Sequence, residues 1–114
     1  MHKTHWQINI TAGHRLEDHP RCGKQHTHNF KVEVEIYSVK LNGRYGQLLD
    51  QSDVESIVRH YERIEIQKSI EELAKEIYTK TEDLLIHKEY HWDEMRIRIT
   101  MDENTTTEYT LIEE

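Results

Sequence analysis

His28-Asn29-Phe30-Lys31-Val32-Glu33-Val34-Glu35-Ile36-Tyr37-Ser38-Val39 alternates in character from one residue to the next. Phe30, Val32, Val34 and Ile36 fall on one face, with polar and charged side chains between them. A period of two over this length is the mark of a half-buried strand. Upstream, residues 4 to 12 repeat the pattern, with Trp6, Ile8, Ile10 and Ala12 on one side and Gln7, Asn9 and Thr11 on the other. Residues 13 to 27 hold Gly13, Pro20, Gly23 and many polar groups, and read as a long loop. A loop of that length in a compact domain is a place to look for function.

Downstream, Asn42-Gly43 signals a turn, and Gly46 to Asp50 reads as a short extended piece. The period then changes. Ser52-x-x-Glu55 is a capping-box pattern ahead of Val54, Ile57, Val58, Tyr61 and Ile64. Ser69-x-x-Glu72 opens a second helix, with Ile70, Leu73, Ala74, Ile77, Tyr78, Leu84 and Leu85 along one stripe. Glu71 to Lys75 and Glu76 to Lys80 are i,i+4 pairs in the favourable order. Met95, Ile97, Ile99 and Met101 restore the period of two, and Tyr109 and Leu111 continue it. The order is β-β-α-α-β-β. The expected α+β architecture is one domain spanning 1–114: a four-stranded antiparallel sheet with both helices on one face.

Composition limits what such a domain can do. Of the 114 residues, 35% are hydrophobic and 32% charged. That is little apolar material for a small monomer, and it points to self-association. The net charge of −7, with no cluster of Lys and Arg, argues against a nucleic-acid partner. No apolar run approaches 18 residues, which argues against a membrane span, and Met1 to Trp6 lacks the apolar stretch of a secretory leader. A single cysteine, Cys22, cannot form an internal disulfide. The expected location is the cytoplasm.

Histidine is the anomaly, with nine in the chain. His26 and His28 stand at i and i+2 where the loop enters the second strand, so an extended backbone points both rings the same way. His14 lies two residues beyond Ala12, in phase with Ile8 and Ile10. If the two strands pair as a hairpin, the three imidazoles meet. Three nitrogen ligands leave a fourth zinc position open, which is the catalytic pattern rather than the closed structural one. An H-x-H pair by itself is equally an ordinary feature of a histidine-rich chain. His87 and His91 also have ligand spacing, but they sit where a helix ends and suit its negative dipole terminus. Cys22 reads either as a small buried hydrophobe or as a thiolate base beside a cation.

Ile8 to Leu16 resembles the opening metal-ligand segment of the 6-pyruvoyltetrahydropterin synthase and 6-carboxytetrahydropterin synthase family. Cys22-Gly23-Lys24-Gln25-His26-Thr27-His28 resembles its C-x-x-x-H-G-H segment. Gly46 to Asp50, with Asp53 and Val54, resembles G-x-[VIL]-x-D-F-x-[DE]-[LV], and Ser69 to Ala74 resembles T-x-E-x-L-A. The resemblance implies the tunnelling fold, with the element order given above, and assembly as a trimer or hexamer with active sites between subunits. It implies zinc held by His14, His26 and His28, a catalytic Cys22, and substrate contact at Ser69 and Glu71. The implied substrate is a reduced pterin, 7,8-dihydroneopterin triphosphate. The implied reaction is carbon–oxygen or carbon–carbon lysis on the way to tetrahydrobiopterin or queuosine-type products.

The departures are equally specific. The family carries D-H-x-x-L-N between its helices, and that Asp and His complete a proton relay. Here Glu65 falls on the Asp position and Ile66 on the His position, and the rest of the segment is deleted. Met101 falls where the family's V-x-V-x-E-T places the Glu that anchors the pterin ring. Asp102 or Glu103 replaces it only if the strand shifts register or bulges, because neighbours on a strand face opposite ways. Thr27 and Gln51 replace a Gly and a Phe. Chemistry alone offers His19, His60 and Glu103 as substitute bases. The expectation is therefore a zinc-dependent enzyme of this family. The alternatives are a non-catalytic zinc- or ligand-binding relative and a different lyase on the same scaffold.

Overall fold

The computed structural model describes residues 2–14, 26–40, 49–103 and 105–110, without the His26 side chain. The elements are β1 (His2–His14), β2 (His26–Ser38), α1 (Gln51–Arg59), β3 (Glu65–Ile66), α2 (Ile70–His87), β4 (Glu94–Met101) and β5 (Thr105–Thr110).

The two long strands follow from the alternation and pair antiparallel along their whole length, from His2 opposite Ser38 to His14 opposite His26. β4 pairs with β2, Phe30 facing Met101 and Val32 facing Ile99, and β5 pairs with β4. The sheet differs from the expected one. It has five strands in the order β3-β1-β2-β4-β5, and β3 runs parallel to β1. The four expected strands are present and mutually antiparallel; the fifth is two residues long. A two-residue strand has no period to read, so nothing in the alternation announces it. The chain enters it through Arg63, which sits at φ 62. Backbone bonds from Arg63 N–H to the Thr11 carbonyl (2.8 Å) and from Gly13 N–H to the Ile64 carbonyl (2.9 Å) fix it to β1.

One face of the sheet is closed. Trp6, Ile8, Ile10 and Ala12 of β1, Phe30 to Ile36 of β2 in alternation, and Met95, Ile97 and Ile99 of β4 are buried in one cluster. Val54 and Val58 of α1, with Leu73, Ala74, Ile77 and Leu85 of α2, complete it. Each buried Val, Leu, Ile, Phe or Met among them contributes about 1.5–3 kcal/mol, so this layer is what holds the histidine-bearing strand ends in place. Among the described residues, no helix is long and apolar enough to cross a membrane.

Two sequence details resolve differently. The cap of α1 is two residues earlier than Ser52-x-x-Glu55: Asp50 is the N-cap, and its N–H donates to the Asp53 carboxylate at 3.2 Å. The apolar stripe also stops early, since α1 ends at Arg59 and Ile64 is exposed. For α2, Ser69 is the N-cap as expected, its Oγ accepting from Glu72 N–H at 3.1 Å. The turn at Asn42-Gly43 and the extended piece ahead of Leu49 lie outside the described residues.

Candidate metal centre

The β1–β2 register gathers the histidines at one end of the sheet. His14 pairs with His26 and Ala12 with His28, so the three residues hold backbone positions of one phase in the register. His14 is buried, at 4% exposure, and His28 is partly buried. Their ring centroids are 6.0 Å apart at 70°. Both rest edge-on against Phe30, each 6.2 Å from its ring. Phe30 is therefore the apolar floor beneath the pair.

Hydrogen bonds decide which nitrogen each ring offers. His14 Nε2 lies 2.9 Å from the Lys68 carbonyl, which can only accept, so Nε2 carries the proton and the lone pair is on Nδ1. His28 Nδ1 bonds the Asp102 carboxylate, which in the neutral ring puts the lone pair on Nε2. Two imidazoles sharing a tetrahedral zinc, with bonds of about 2.0–2.1 Å, have centroids about 5 Å apart. The observed pair is within about 1 Å of that, and each ring has an outer partner of the kind metal-bound histidines use. Two neutral imidazoles of this kind are donors that zinc accepts. Among the described residues no three metal-capable side chains converge; the His26 side chain, His19 and Cys22 lie outside them.

Asp102 is the residue that sequence reading undervalued. It follows β4 at φ 51, and Glu103 follows at φ 63. This left-handed pair takes Asp102 out of strand alternation. Its N–H donates to the Asn29 carbonyl and its Oδ1 accepts from Asn29 N–H, both at 2.8 Å. Asn29 N–H, then His28, hold the Asp102 carboxyl below the ordinary carboxylate range. The requirement for a departure from register was legible; its form, a turn closing back on β2, was not.

The other expected residues scatter. Glu65 and Ile66 form β3 itself, opposite Gly13 and His14. Ile66 is buried in the core, while Glu65 Oε1 is buried with no hydrogen-bond partner among the described residues. Met101 packs against the core opposite Phe30. Ser69 caps α2, and Glu71 is exposed in its first turn. His60 is exposed beside Tyr61, and Glu103 is exposed in the β4–β5 turn.

Behind His14 stands a charged cluster that sequence reading missed. Lys68 Nζ and Tyr61 Oη both bond the Glu76 carboxylate, and Lys80 Nζ reaches Tyr61 Oη at 2.8 Å. The bonds from Lys68 and then Tyr61 bring the Glu76 carboxyl down to about 2. Burial, then Glu76, pushes the Tyr61 hydroxyl up. Glu76 to Lys80 is one of the expected helical pairs; the link to Lys68 is tertiary.

On the polar face of the sheet a cavity of about 680 Å³ is lined by Gln7, Asn9, Thr11, Asn29, Lys31 and Asp102, among others. Its amides and hydroxyls stand beside the carboxylates of Glu62, Asp102 and Glu103. Asp102 stands between this cavity and His28.

Residues 3–112 match the family described as 6-pyruvoyl tetrahydropterin synthase. A protein of Archaeoglobus fulgidus provisionally named 6-carboxy-5,6,7,8-tetrahydropterin synthase is 48% identical over 50 residues, which is 43% of this chain and 41% of that protein. The match thus spans less than half of that relative's length. The fold is similar to 6-pyruvoyl tetrahydropterin synthase from Caenorhabditis elegans, with a TM-score of 0.66 and 13% identity over 94% of this chain and 93% of that one. The Plasmodium falciparum enzyme gives 0.65 and 11%, over 97% and 99%. With a family match over nearly the whole chain and the same fold, the chain belongs to the 6-pyruvoyl tetrahydropterin synthase family.

Proposed function

We propose that the chain binds zinc through His14, His26 and His28 and acts as a lyase on a reduced pterin such as 7,8-dihydroneopterin triphosphate. The observation that carries this reading is the β1–β2 register, which puts the three histidines in one phase at one end of the sheet. A bound zinc with an open position supplies a Lewis acid for a substrate oxygen. The chain's own residues do the rest. Phe30 excludes water beneath the two described rings, and the Lys68 carbonyl and Asp102 orient them. Cys22, four residues before His26, is the group that moves a substrate proton. The amides of the neighbouring cavity suit a hydrogen-bonding heterocycle better than an apolar one.

Zinc content of protein purified without added metal, and product formation from 7,8-dihydroneopterin triphosphate, test the reading. Turnover that vanishes in Cys22→Ala supports it. Absence of product above an enzyme-free control, with zinc bound, counts against the standard reaction. Self-association as a trimer or hexamer belongs to the same proposal and is read by sedimentation.

A second reading, a zinc- or ligand-binding relative without the standard chemistry, or a different lyase, is favoured by Ile66 and Met101. Ile66 is 2% exposed, and Met101 is packed on the core. Neither transfers a proton nor anchors a ring. Recovery of a non-pterin metabolite from natively purified protein separates it from the first.

A further inference from the structure

The feature left over from the family pattern is Asp102. It does not take the register position that Met101 holds. It leaves the strand in a left-handed conformation and returns to β2, bonding His28 Nδ1 with its carboxylate and both backbone groups of Asn29. A left-handed Asp followed by a left-handed Glu is an uncommon pair of conformations for residues other than glycine. Strain of this kind persists where surrounding structure enforces it, and it clusters at functional sites.

We propose that Asp102 is the positioning residue of His28, fixing the imidazole in the tautomer that carries its proton on Nδ1 so that Nε2 is presented to a bound divalent cation. The inference rests on the zinc reading above and adds to it a residue outside the three ligands. A carboxylate behind a metal-bound histidine fixes ring orientation and raises its basicity, and loss of such a partner costs about 10- to 100-fold in metal affinity. Asp102 also clamps the β2–β4 strand ends, so a crude deletion confounds positioning with folding. Asp102→Asn separates them. Its side-chain oxygen still accepts from Asn29 N–H, while its amide offers a donor to His28 where the carboxylate offered an acceptor. His28 Nδ1 then becomes the acceptor, and the proton moves to Nε2, the nitrogen required for the metal.

The experiment uses the full chain, ¹⁵N-labelled and metal-free, near pH 8. Long-range ¹H–¹⁵N correlation reads the His28 tautomer, assigned with His28→Gln. Zinc affinity is measured by chelator competition, and melting monitors the clamp. The expected result is Nδ1–H in the wild type and Nε2–H in Asp102→Asn, with zinc binding about 10- to 100-fold weaker and melting shifted far less than in Asp102→Ala. An unchanged tautomer or unchanged zinc affinity in Asp102→Asn overturns the proposal. Failure of the wild type itself to bind zinc overturns the underlying metal reading, and this inference with it; that failure shows without any variant and is distinguishable from one confined to Asp102.

Discussion

His14 is tied to Lys68: its Nε2–H donates to the Lys68 carbonyl across 2.9 Å, joining β1 to the turn ahead of α2. The same lysine sends its ammonium to Glu76 on α2, which also holds Tyr61 and Lys80. One residue therefore connects a candidate ligand to a charged anchor one helical turn or more away. Removing the anchor frees Lys68 and leaves the Tyr61 hydroxyl without its acceptor. Glu76→Ala is expected to cost about 1–2 kcal/mol in chemical denaturation and to weaken zinc binding several-fold, less than loss of His14. Equal affinity in the two proteins would show that the Lys68 carbonyl keeps its place unaided.

Glu76 also makes stability depend on pH. Its carboxyl is lowered from 4.5 to about 2 in the folded chain, chiefly by Lys68 and then Tyr61. The contribution is complete above the unfolded value and is lost as pH falls toward 2. With Glu76 about one-third exposed, screening limits it to about 1–2 kcal/mol. Asp93, Asp102 and Glu108 are lowered too and act in the same direction. The measurement is therefore the wild-type minus Glu76→Gln difference, which should shrink between about pH 4.5 and 2. At the alkaline end the sign reverses. Tyr61 is raised, so stability present below its ordinary pKa is lost as pH climbs above it, and Tyr61→Phe should flatten that limb.

The sequence carried the long strands, the second helix cap and the phase of His14 against His26 and His28, because each depends on a local period. It missed what depends on chain return. β3 has two residues, no period, and a left-handed Arg63 ahead of it. The α1 cap is ambiguous in the sequence, because Ser52-x-x-Glu55 and Asp50-x-x-Asp53 both place a carboxylate three residues after a capping side chain, and only the path into the helix chooses between them. Asp102 is legible only as the neighbour of Met101 that a break in strand alternation could turn, and the left-handed turn after β4 is that break. The Lys68–Glu76–Tyr61 cluster joins the turn before α2, α2 itself and the turn that follows α1, and spacing alone shows only its Glu76–Lys80 edge.

The turn that carries Asp102 can be tested by itself. Glu103 holds φ 63, a conformation in which a Cβ is unfavourable by about 1–2 kcal/mol. Glu103→Gly removes that cost while widening the freedom of the unfolded chain. The net expectation is a gain of about 0.5–1 kcal/mol in thermal or chemical denaturation, with zinc affinity unchanged. A loss would mean that the Glu103 side chain makes a contact worth more than its backbone strain.

Phe30 is 1% exposed and meets both described histidine rings. Phe30→Leu keeps an apolar floor but removes the two edge-on contacts and leaves a small void. The destabilisation expected is about 1–3 kcal/mol, together with weaker zinc binding because both rings gain room to tilt. Ile36→Val, in the same strand and equally buried but six residues away, is the control. It should cost about 0.5–1.5 kcal/mol and leave zinc affinity alone.

Zinc itself should stabilise the fold if the three histidines hold it. A ligand that binds only the folded chain adds about 2.7 kcal/mol at a hundredfold excess over its dissociation constant. Melting should therefore rise with zinc and return on chelation. His28 is partly buried, rests edge-on against Phe30 and bonds Asp102, so His28→Ala lowers the metal-free melting point. His14 is buried and bonded to Lys68, so His14→Ala lowers the metal-free melting point as well. The test is then the zinc-induced shift, not the absolute melting temperature. It should vanish in all three variants and persist in His60→Ala, which lies exposed beyond α1. A shift that survives loss of both His26 and His28 would place the metal elsewhere on this histidine-rich chain.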